Sequence, residues 1–534
     1  MRTDLFRNVT HVGAPWGRPS PPYWRVTTGV LSRGMTLVEP SVGSAAETFR
    51  STNPASGTLV AEFPVADEAA VTAAVARARV AAAAWAALGF DGRKERLAAY
   101  RGYLARRMHE LADLVHRENG KPHADAVLEI TLAVDHLAWA GAHARKTLGP
   151  RSVHPGLLAA NHQAVLEYQP LGVVGVIGPW NYPVFTPMGS IAYALAAGNA
   201  VVFKPSEFTP AIGAWLAEAW SAAVPDAPDA LQVVTGLGPT GTALCRAGVG
   251  KIAFTGSAAT GRKVMATCAE TLTPVLMECG GKDAMIVDDD ADVAAAADAA
   301  VWGAMSNAGQ TCIGIERVYA TAAVYDSFVA AVTDQVAALR PGSDDGASYG
   351  PMTMPSQTEV VQRHLDDAAA TGGRAVVGGS VDGGYVAPTV LLDVPETSSA
   401  VQEETFGPTI TITRVADAEQ ALELANGTSL GLGGSVFAGS AKRGMDLARR
   451  MRSGMTSVNS VITFASVPAL PFGGVGESGF GRIHGEDGLR EFTRAKAITR
   501  QRFPLPVALM SFGRPAKAAD ALARVMGLVH GRHR

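Results

Sequence analysis

Glu278 and Cys312 are the two side chains of this sequence whose type and setting best suit chemistry. Cys312 follows Gly309-Gln310-Thr311, a small polar stretch unlike a core strand. A thiolate there would be a nucleophile, provided its proton can be removed. A lone cysteine is equally at home as a buried small hydrophobe. Glu278 closes the apolar run Pro274–Met277, and a carboxylate at the end of a buried strand is either paired or functional. Neither residue decides its own role by type alone.

Three further motifs sit at the ends of apolar runs. Pro179-Trp180-Asn181-Tyr182-Pro183 pins an asparagine between two prolines. The Asn181 amide could donate to a developing oxyanion, or cap the next helix. Lys204-Pro205-Ser206-Glu207 could hold ribose hydroxyls or a phosphate, or be a solvated turn in which Ser206 caps a helix. Gly236-Leu237-Gly238-Pro239-Thr240-Gly241 matches G-x-G-x-x-G, but no acidic residue stands clearly about 20 residues on, as the dinucleotide fingerprint requires. Thr255-Gly256-Ser257 precedes a helical stretch, so backbone N–H groups there could receive a phosphate, or Ser257 could simply cap the helix.

These motifs need a scaffold that delivers loops to one edge. Ala-rich residues 66–88, and then 93–118, read as helix. Short β-branched runs follow at Leu171–Ile177, Ala200–Phe203, Leu231–Val234, Ile252–Phe254 and Pro274–Met277, separated by helical stretches. That alternation predicts a parallel sheet of βαβ units, with ligands beyond the carboxyl ends of the strands. A second alternation, including Ala284–Val287, Arg317–Ala320, Thr409–Val415 and Gly434–Phe437, predicts a second α/β domain. Glu278 and Cys312 fall near the junction, where clefts commonly form. Residues 1–34 show no period and read as a flexible arm, or as sequence upstream of a true start at Met35. Residues 505–534 read as a basic tail, with a helix over 515–529 whose stripe is Ala518, Leu522, Val525, Met526 and Val529.

Composition removes several function classes. Hydrophobic residues at 47% and charged residues at 18% support large buried cores rather than disorder. A net charge of −3 gives nucleic-acid binding no support. The four cysteines, Cys245, Cys268, Cys279 and Cys312, form no C-x-x-C pair, and no histidine cluster has zinc-ligand spacing, so no metal is expected. So few cysteines suggest a reducing compartment, and a cytoplasmic location is expected. Neither a transmembrane helix nor a secretory signal is read from the chain.

Taken together and in this order, the motifs resemble the aldehyde dehydrogenase superfamily, from Phe49–Gly57 (FRSTNPASG) to about residue 497. The resemblance includes Glu403-Glu404-Thr405-Phe406-Gly407-Pro408 and the glycine-rich stretch from Pro471-Phe472-Gly473-Gly474 to Arg482. It implies an α/β fold of two Rossmann-type domains with a small bridging β-element used in oligomerisation. The implied boundaries are 35–148 with 168–277 for the dinucleotide-binding domain, 278–472 for the catalytic domain, and 149–167 with 485–504 for the bridge. Cys312 matches the family nucleophile, Asn181 and the Cys312 N–H the oxyanion hole, and Glu278 the base that activates water against the thioester. The matches along the dinucleotide are Trp180, Lys204, Ser206, Glu207, Gly236 and Gly241, then Thr255, Gly256, Ser257, Glu404 and Phe406. Tyr182, Phe185 and Phe472 match positions beside the aldehyde tunnel.

The same resemblance shapes the expected reaction. NAD or NADP would be the cofactor. NAD is favoured because Glu207 would repel a 2′-phosphate. Glu278 argues for hydrolysis rather than acyl transfer to coenzyme A. The aromatic tunnel residues favour an apolar or aromatic aldehyde, whereas succinic semialdehyde would need a cation that no arginine convincingly supplies. Parts of the sequence nevertheless look most like succinic-semialdehyde-type or broad-specificity bacterial enzymes, and GGVGESGFGRIHG is similar to the hydrophobic-aldehyde branch. A non-catalytic binding protein on the same fold is the alternative from another class. Cys279, where the family usually has Leu, should point away from Glu278 as a core filler. A homodimer or homotetramer is implied. Peripheral membrane contact through the tail is an alternative to docking of the tail on its own or a partner subunit, and docking is the favoured reading.

Overall fold

The computed structural model describes residues 47–507 and 509–531. The expected arm over 1–34 and the alternative start at Met35 lie outside them. A six-stranded sheet carries the first set of motifs, in the order Gly479–Phe480, Val275–Glu278, Lys251–Thr255, Val173–Ile177, Ala200–Lys204, Leu231–Val233. Every pairing is parallel except that of Gly479–Phe480 with Met277 and Glu278, which is antiparallel. The inner strand Ala200–Lys204 is buried at all positions, as its unbroken apolar run requires of a strand covered on both faces. The first expected strand begins at Val173 rather than Leu171. The Leu171 and Gly172 N–H groups instead donate to Asn199 Oδ1, at 2.6 and 3.0 Å.

The helix Glu68–Ala87 starts where Asp67 accepts from the Ala70 N–H at 2.7 Å. It buries Ala70, Val71, Ala74, Val75, Ala78, Ala82 and Trp85, one helical face, and runs beside the Ala200–Lys204 strand. It is long and apolar enough to cross a membrane by length and composition, but that buried face makes it a core helix. The expected helix over 93–118 is two, Gly89–Arg106 and Met108–Asn119, with a break at Arg107. Gly120, at φ +93°, ends the second.

A seven-stranded sheet holds the second α/β alternation, in the order Arg374–Val377, Thr389–Leu392, Thr409–Val415, Ile315–Thr321, Asp283–Val287, Gly434–Phe437, Ser457–Val458. Only Arg374–Val377 runs antiparallel to its neighbour. Thr493–Gln501, His162–Pro170 and Arg151–Val153 form a separate antiparallel sheet.

The tail helix is Ala518–His530, so Pro515 precedes it instead of opening it. None of its residues is fully buried, and Ala518, Leu522 and Met526 are half-buried along one side.

Candidate active site

Between the two large sheets lies a cavity of about 540 Å³. It is lined by Trp180, Asn181, Phe185, Thr255, Gly256 and Ser257 from the first sheet's loops. Glu278, Cys312, Glu404, Phe406 and Phe472 complete the expected site residues in its wall, and Cys279 lies among them. Glu278 and Cys312 thus face one shared space.

Cys312 arrives there because its loop reverses sharply. Asn307 and Ala308 adopt left-handed backbone at φ +53° and +56°, just after the helix Val293–Met305. Such residues are strained and are held only by their surroundings. Here Asn307 Nδ2 donates to the carbonyls of Asn181 (3.0 Å) and Gln310 (3.2 Å). The Cys312 thiol is free and partly exposed. Burial pushes its pKa up, and the carboxylates of Glu404, Asp283 and Glu278 push it further, while its own backbone N–H opposes them.

Asn181 does not cap a helix. Its Nδ2 donates to the Gln310 carbonyl at 2.8 Å, which leaves the second N–H of the amide for another acceptor. The N–H groups at the start of the Phe185–Ala197 helix, Val184 and Phe185, are taken by Glu129 Oε1 at 2.7 and 3.0 Å. Glu129 also pairs with Lys121 at 2.6 Å, both side chains fully buried, and Lys121 Nζ donates to the Asn181 carbonyl at 2.8 Å. This buried pair, missed in the sequence, fixes the asparagine from behind. Its only sequence signal was two charged residues flanking a helix start.

Glu278 is 3% exposed, and neither carboxylate oxygen has a partner. Burial raises its pKa well above the usual carboxylate range, against a small opposing pull from Arg482. The next residue, Cys279, joins the apolar cluster of Phe254 and Met277 as a core filler while also contributing to the cavity wall, and burial lifts its thiol to about 11. Ser478 Oγ donates to the Gly280 carbonyl at 2.7 Å and so ties down the turn after Glu278.

The expected dinucleotide residues divide into two groups. Trp180 and Phe406 meet edge-to-face at 5.5 Å in the cavity wall. Glu404 Oε1 accepts from the Gly281 N–H at 3.0 Å, and burial lifts its carboxyl to about 8. Ser257 caps the helix Ala258–Ala269 by accepting from Thr260 N at 3.3 Å. Lys204, Ser206, Glu207, Gly236 and Gly241 are not in the wall of this cavity. Lys204, Ser206, Glu207 and Gly236 lie at or just after the ends of the strands Ala200–Lys204 and Leu231–Val233 on the same carboxyl edge, and Gly241 lies in the helix Gly238–Arg246 against the Lys204 side chain. Buried Lys204 donates to the Pro205 carbonyl at 3.1 Å, with Glu207 at 3.9 Å. Ser206 is not the helix cap: the helix begins at Pro210, and Glu118 receives the Ala211 and Ile212 N–H groups at 2.9 Å each.

Of the expected tunnel residues, Phe185 and Phe472 line the cavity and Tyr182 does not. The Tyr182 ring lies over Lys121 Nζ at 4.0 Å, and its hydroxyl pairs with Thr311 Oγ1 at 3.0 Å, which turns it out of the wall. His484, which the sequence did not single out, also lines the cavity. Among the described residues, no group of His, Cys, Asp and Glu has metal-site geometry.

A parallel sheet whose strand-end loops bring a buried carboxylate and a cysteine to one cavity is the arrangement of an α/β enzyme. The chain belongs to the aldehyde dehydrogenase family, whose pattern matches residues 42–498. It is 36% identical to 4,4'-diapolycopene aldehyde oxidase of a Methylomonas species over 462 residues, covering 86% of this chain and 87% of that one. It is 39% identical to a Mycobacterium ulcerans chain named for succinate-semialdehyde dehydrogenase [NADP(+)], covering 84% and 87% respectively. The solved structure of PnpE from Pseudomonas sp. WBC-3, in complex with nicotinamide adenine dinucleotide, superposes with a TM-score of 0.83 at 32% identity, covering 87% of this chain and 96% of that one. The fold is thus that of the aldehyde dehydrogenases, and the protein is an aldehyde-oxidising oxidoreductase.

Proposed function

We propose that this protein oxidises an apolar or aromatic aldehyde to the free carboxylic acid, through a thioester on Cys312. The observation that carries the reading is the buried, unpartnered carboxylate of Glu278 facing the same cavity as the Cys312 thiol. An orphaned carboxylate is costly to bury and is accounted for if water and substrate are its partners.

A nicotinamide dinucleotide fits the residues present. The start of the Ala258–Ala269 helix, at Ser257 and Ala259, opens on the cavity and suits a phosphate. Glu404 would hold ribose hydroxyls, and the Trp180–Phe406 pair would flank the ring. When bound, the dinucleotide supplies the acceptor for the hydride that leaves the substrate carbon. Lys204, Ser206, Glu207, Gly236 and Gly241 would hold the adenosine end. Glu207, with its carboxylate beside Lys204, favours NAD over a 2′-phosphorylated cofactor.

The chain's own residues divide the remaining work. The Cys312 sulfur, once deprotonated, attacks the aldehyde carbon and forms a thiohemiacetal. The free Asn181 N–H and the Cys312 N–H hold the oxygen as its charge develops. After oxidation of that adduct, ionised Glu278 takes a proton from water, which attacks the thioester and releases acid and thiol. Phe185, Phe472 and Ile483 give the substrate's body an apolar wall. The same reading includes a homo-oligomer assembled through the small antiparallel sheet, whose Thr493–Gln501 strand is largely exposed.

The test is NAD(P)H formation with a panel of aldehydes. Cys312→Ala should abolish it, and normal turnover in that variant would remove the nucleophile. Glu278→Gln should keep a first-turnover burst while slowing steady state by about 100-fold or more. Stimulation of the wild type by coenzyme A would instead favour acyl transfer.

A further inference from the structure

His484 combines two features that are unfavourable for folding. Both ring nitrogens are buried without a hydrogen-bond partner, at 1% exposure. Its backbone lies at φ +63°, ψ 166°, a region that is nearly glycine's alone. An orphaned polar group and strained backbone at one residue call for an explanation beyond packing. Packing is nonetheless tight. The imidazole lies 3.9 Å from the His136 ring, 5.4 Å from Phe472 and 5.6 Å from both Phe185 and Tyr193. The structure also makes room for it, since a β-carbon on Gly189 would stand 2.6 Å from His484 Nε2.

Of the neighbouring polar groups, all but His136 Nδ1 are committed. His136 Nε2 donates to the Ala465 carbonyl at 3.0 Å, which leaves its Nδ1 unprotonated, 3.4 Å from the Tyr193 hydroxyl. That hydroxyl donates to the Pro468 carbonyl at 3.1 Å. His484 is therefore the ring of this cluster with neither nitrogen partnered, and it lines the cavity that also holds Cys312.

We propose that His484 is a specificity-determining residue whose imidazole hydrogen-bonds a neutral hydroxyl group on the body of the aldehyde. This rests on the aldehyde-oxidising reading and names the substrate class within it: aromatic or apolar aldehydes bearing a hydroxyl. Burial and the adjacent His136 hold the ring's pKa well below its ordinary value, so the ring is neutral. A neutral imidazole offers one donor and one acceptor, the complement of a hydroxyl. A carboxylate offers acceptors only and would need a cation. Arg363 lines the cavity, but it is held by Glu403 at 3.0 Å. Substrates with a distal carboxylate are thus disfavoured.

The experiment compares kcat/KM of the full-length enzyme for benzaldehyde, the three hydroxybenzaldehyde isomers and 4-carboxybenzaldehyde. At least one hydroxy isomer should exceed benzaldehyde by about tenfold or more, with the carboxylated compound below benzaldehyde. His484→Gly, which suits the backbone, should bring the hydroxy-to-unsubstituted ratio to within about threefold of one. His484→Asn, which tolerates positive φ and keeps a donor and an acceptor, should retain part of it. Nitrogen-labelled histidine spectra of the unmutated enzyme give a readout independent of variant folding: the hydroxylated compound should shift a buried imidazole signal that benzaldehyde leaves in place. No preference in the wild type, an intact ratio in His484→Gly, or no spectral shift would overturn the proposal. The first is the result if a fixed water satisfies the ring. Absence of NAD(P)H from every aldehyde would instead overturn the aldehyde-oxidising reading beneath it.

Discussion

Gly280 leaves the space that the Glu404 carboxylate fills: a β-carbon on Gly280 would stand 1.9 Å from Glu404 Oε2. The turn that follows Glu278 and the loop that carries Glu404 come from different α/β units, and they meet backbone to carboxylate. Gly280→Ala must therefore move the carboxylate assigned to ribose. The expected result is a rise of about tenfold or more in KM for the dinucleotide, with a similar effect for Glu404→Gln. Initial rates against cofactor concentration check it. An unchanged KM in both variants would separate Glu404 from the cofactor.

The Lys121–Glu129 pair, fully buried, carries the second prediction. Removing one partner of such a pair leaves an uncompensated charge and costs roughly 3–5 kcal/mol. Lys121→Met should lower unfolding free energy by that order in urea titrations. It should also reduce turnover, because the Asn181 carbonyl loses its Nζ donor. Lys121→Met with Glu129→Gln should recover part of the stability and little of the activity. Equal recovery of both would show that the pair does not position Asn181.

A third prediction concerns pH. Burial lifts Glu118 to about 7, and Asp283 and Glu404 to about 8. A carboxyl whose folded pKa is raised binds more protons folded than unfolded, so stability falls as pH rises from the unfolded value through the folded one. His136 and His364 are depressed to about 4, and their loss of stability comes as pH falls below the ordinary histidine value. The carboxyl effect is therefore unopposed by the histidines from about pH 6.5 upward. The thermal midpoint should decline from about pH 6.5 to 8. Asp283→Asn should flatten that decline, and an equally steep profile in the variant would assign it elsewhere.

Strand ends were legible because strands covered on both faces read as unbroken apolar runs, and Ala200–Lys204 is buried throughout. The meeting of Glu278 and Cys312 at one cavity follows from those ends and the order of the motifs. What stayed hidden depends on partners distant in sequence. Ser206 has the right type to cap a helix, yet Glu118 takes that role across the fold. Tyr182 is turned aside by Lys121, and Gly479–Phe480 adds an edge strand beside Glu278. His484 is singled out by open ring nitrogens and backbone strain, neither of which a residue type reveals.

The tail offers the last prediction. Met510 and Phe512 are fully exposed, and Ala518–His530 buries no residue completely. Before it, the Arg502 N–H donates to the Asn161 carbonyl at 2.8 Å, and Asn161 Nδ2 donates to the Phe503 carbonyl at 2.9 Å. A cut after Pro504 keeps both bonds. Because little apolar area is lost from the core, truncation should leave kcat/KM and the thermal midpoint of the dilute protein nearly unchanged. Exposed aromatic and aliphatic side chains beside Arg514 and Lys517 leave a patch that self-association or a surface would cover. Sedimentation at rising concentration should show the full chain associating more than the truncated one, while neither floats with lipid vesicles. A large drop in midpoint on truncation would mean that the tail is packed more firmly than its exposure indicates. Flotation of the full chain alone would move the tail from a protein contact to a membrane contact.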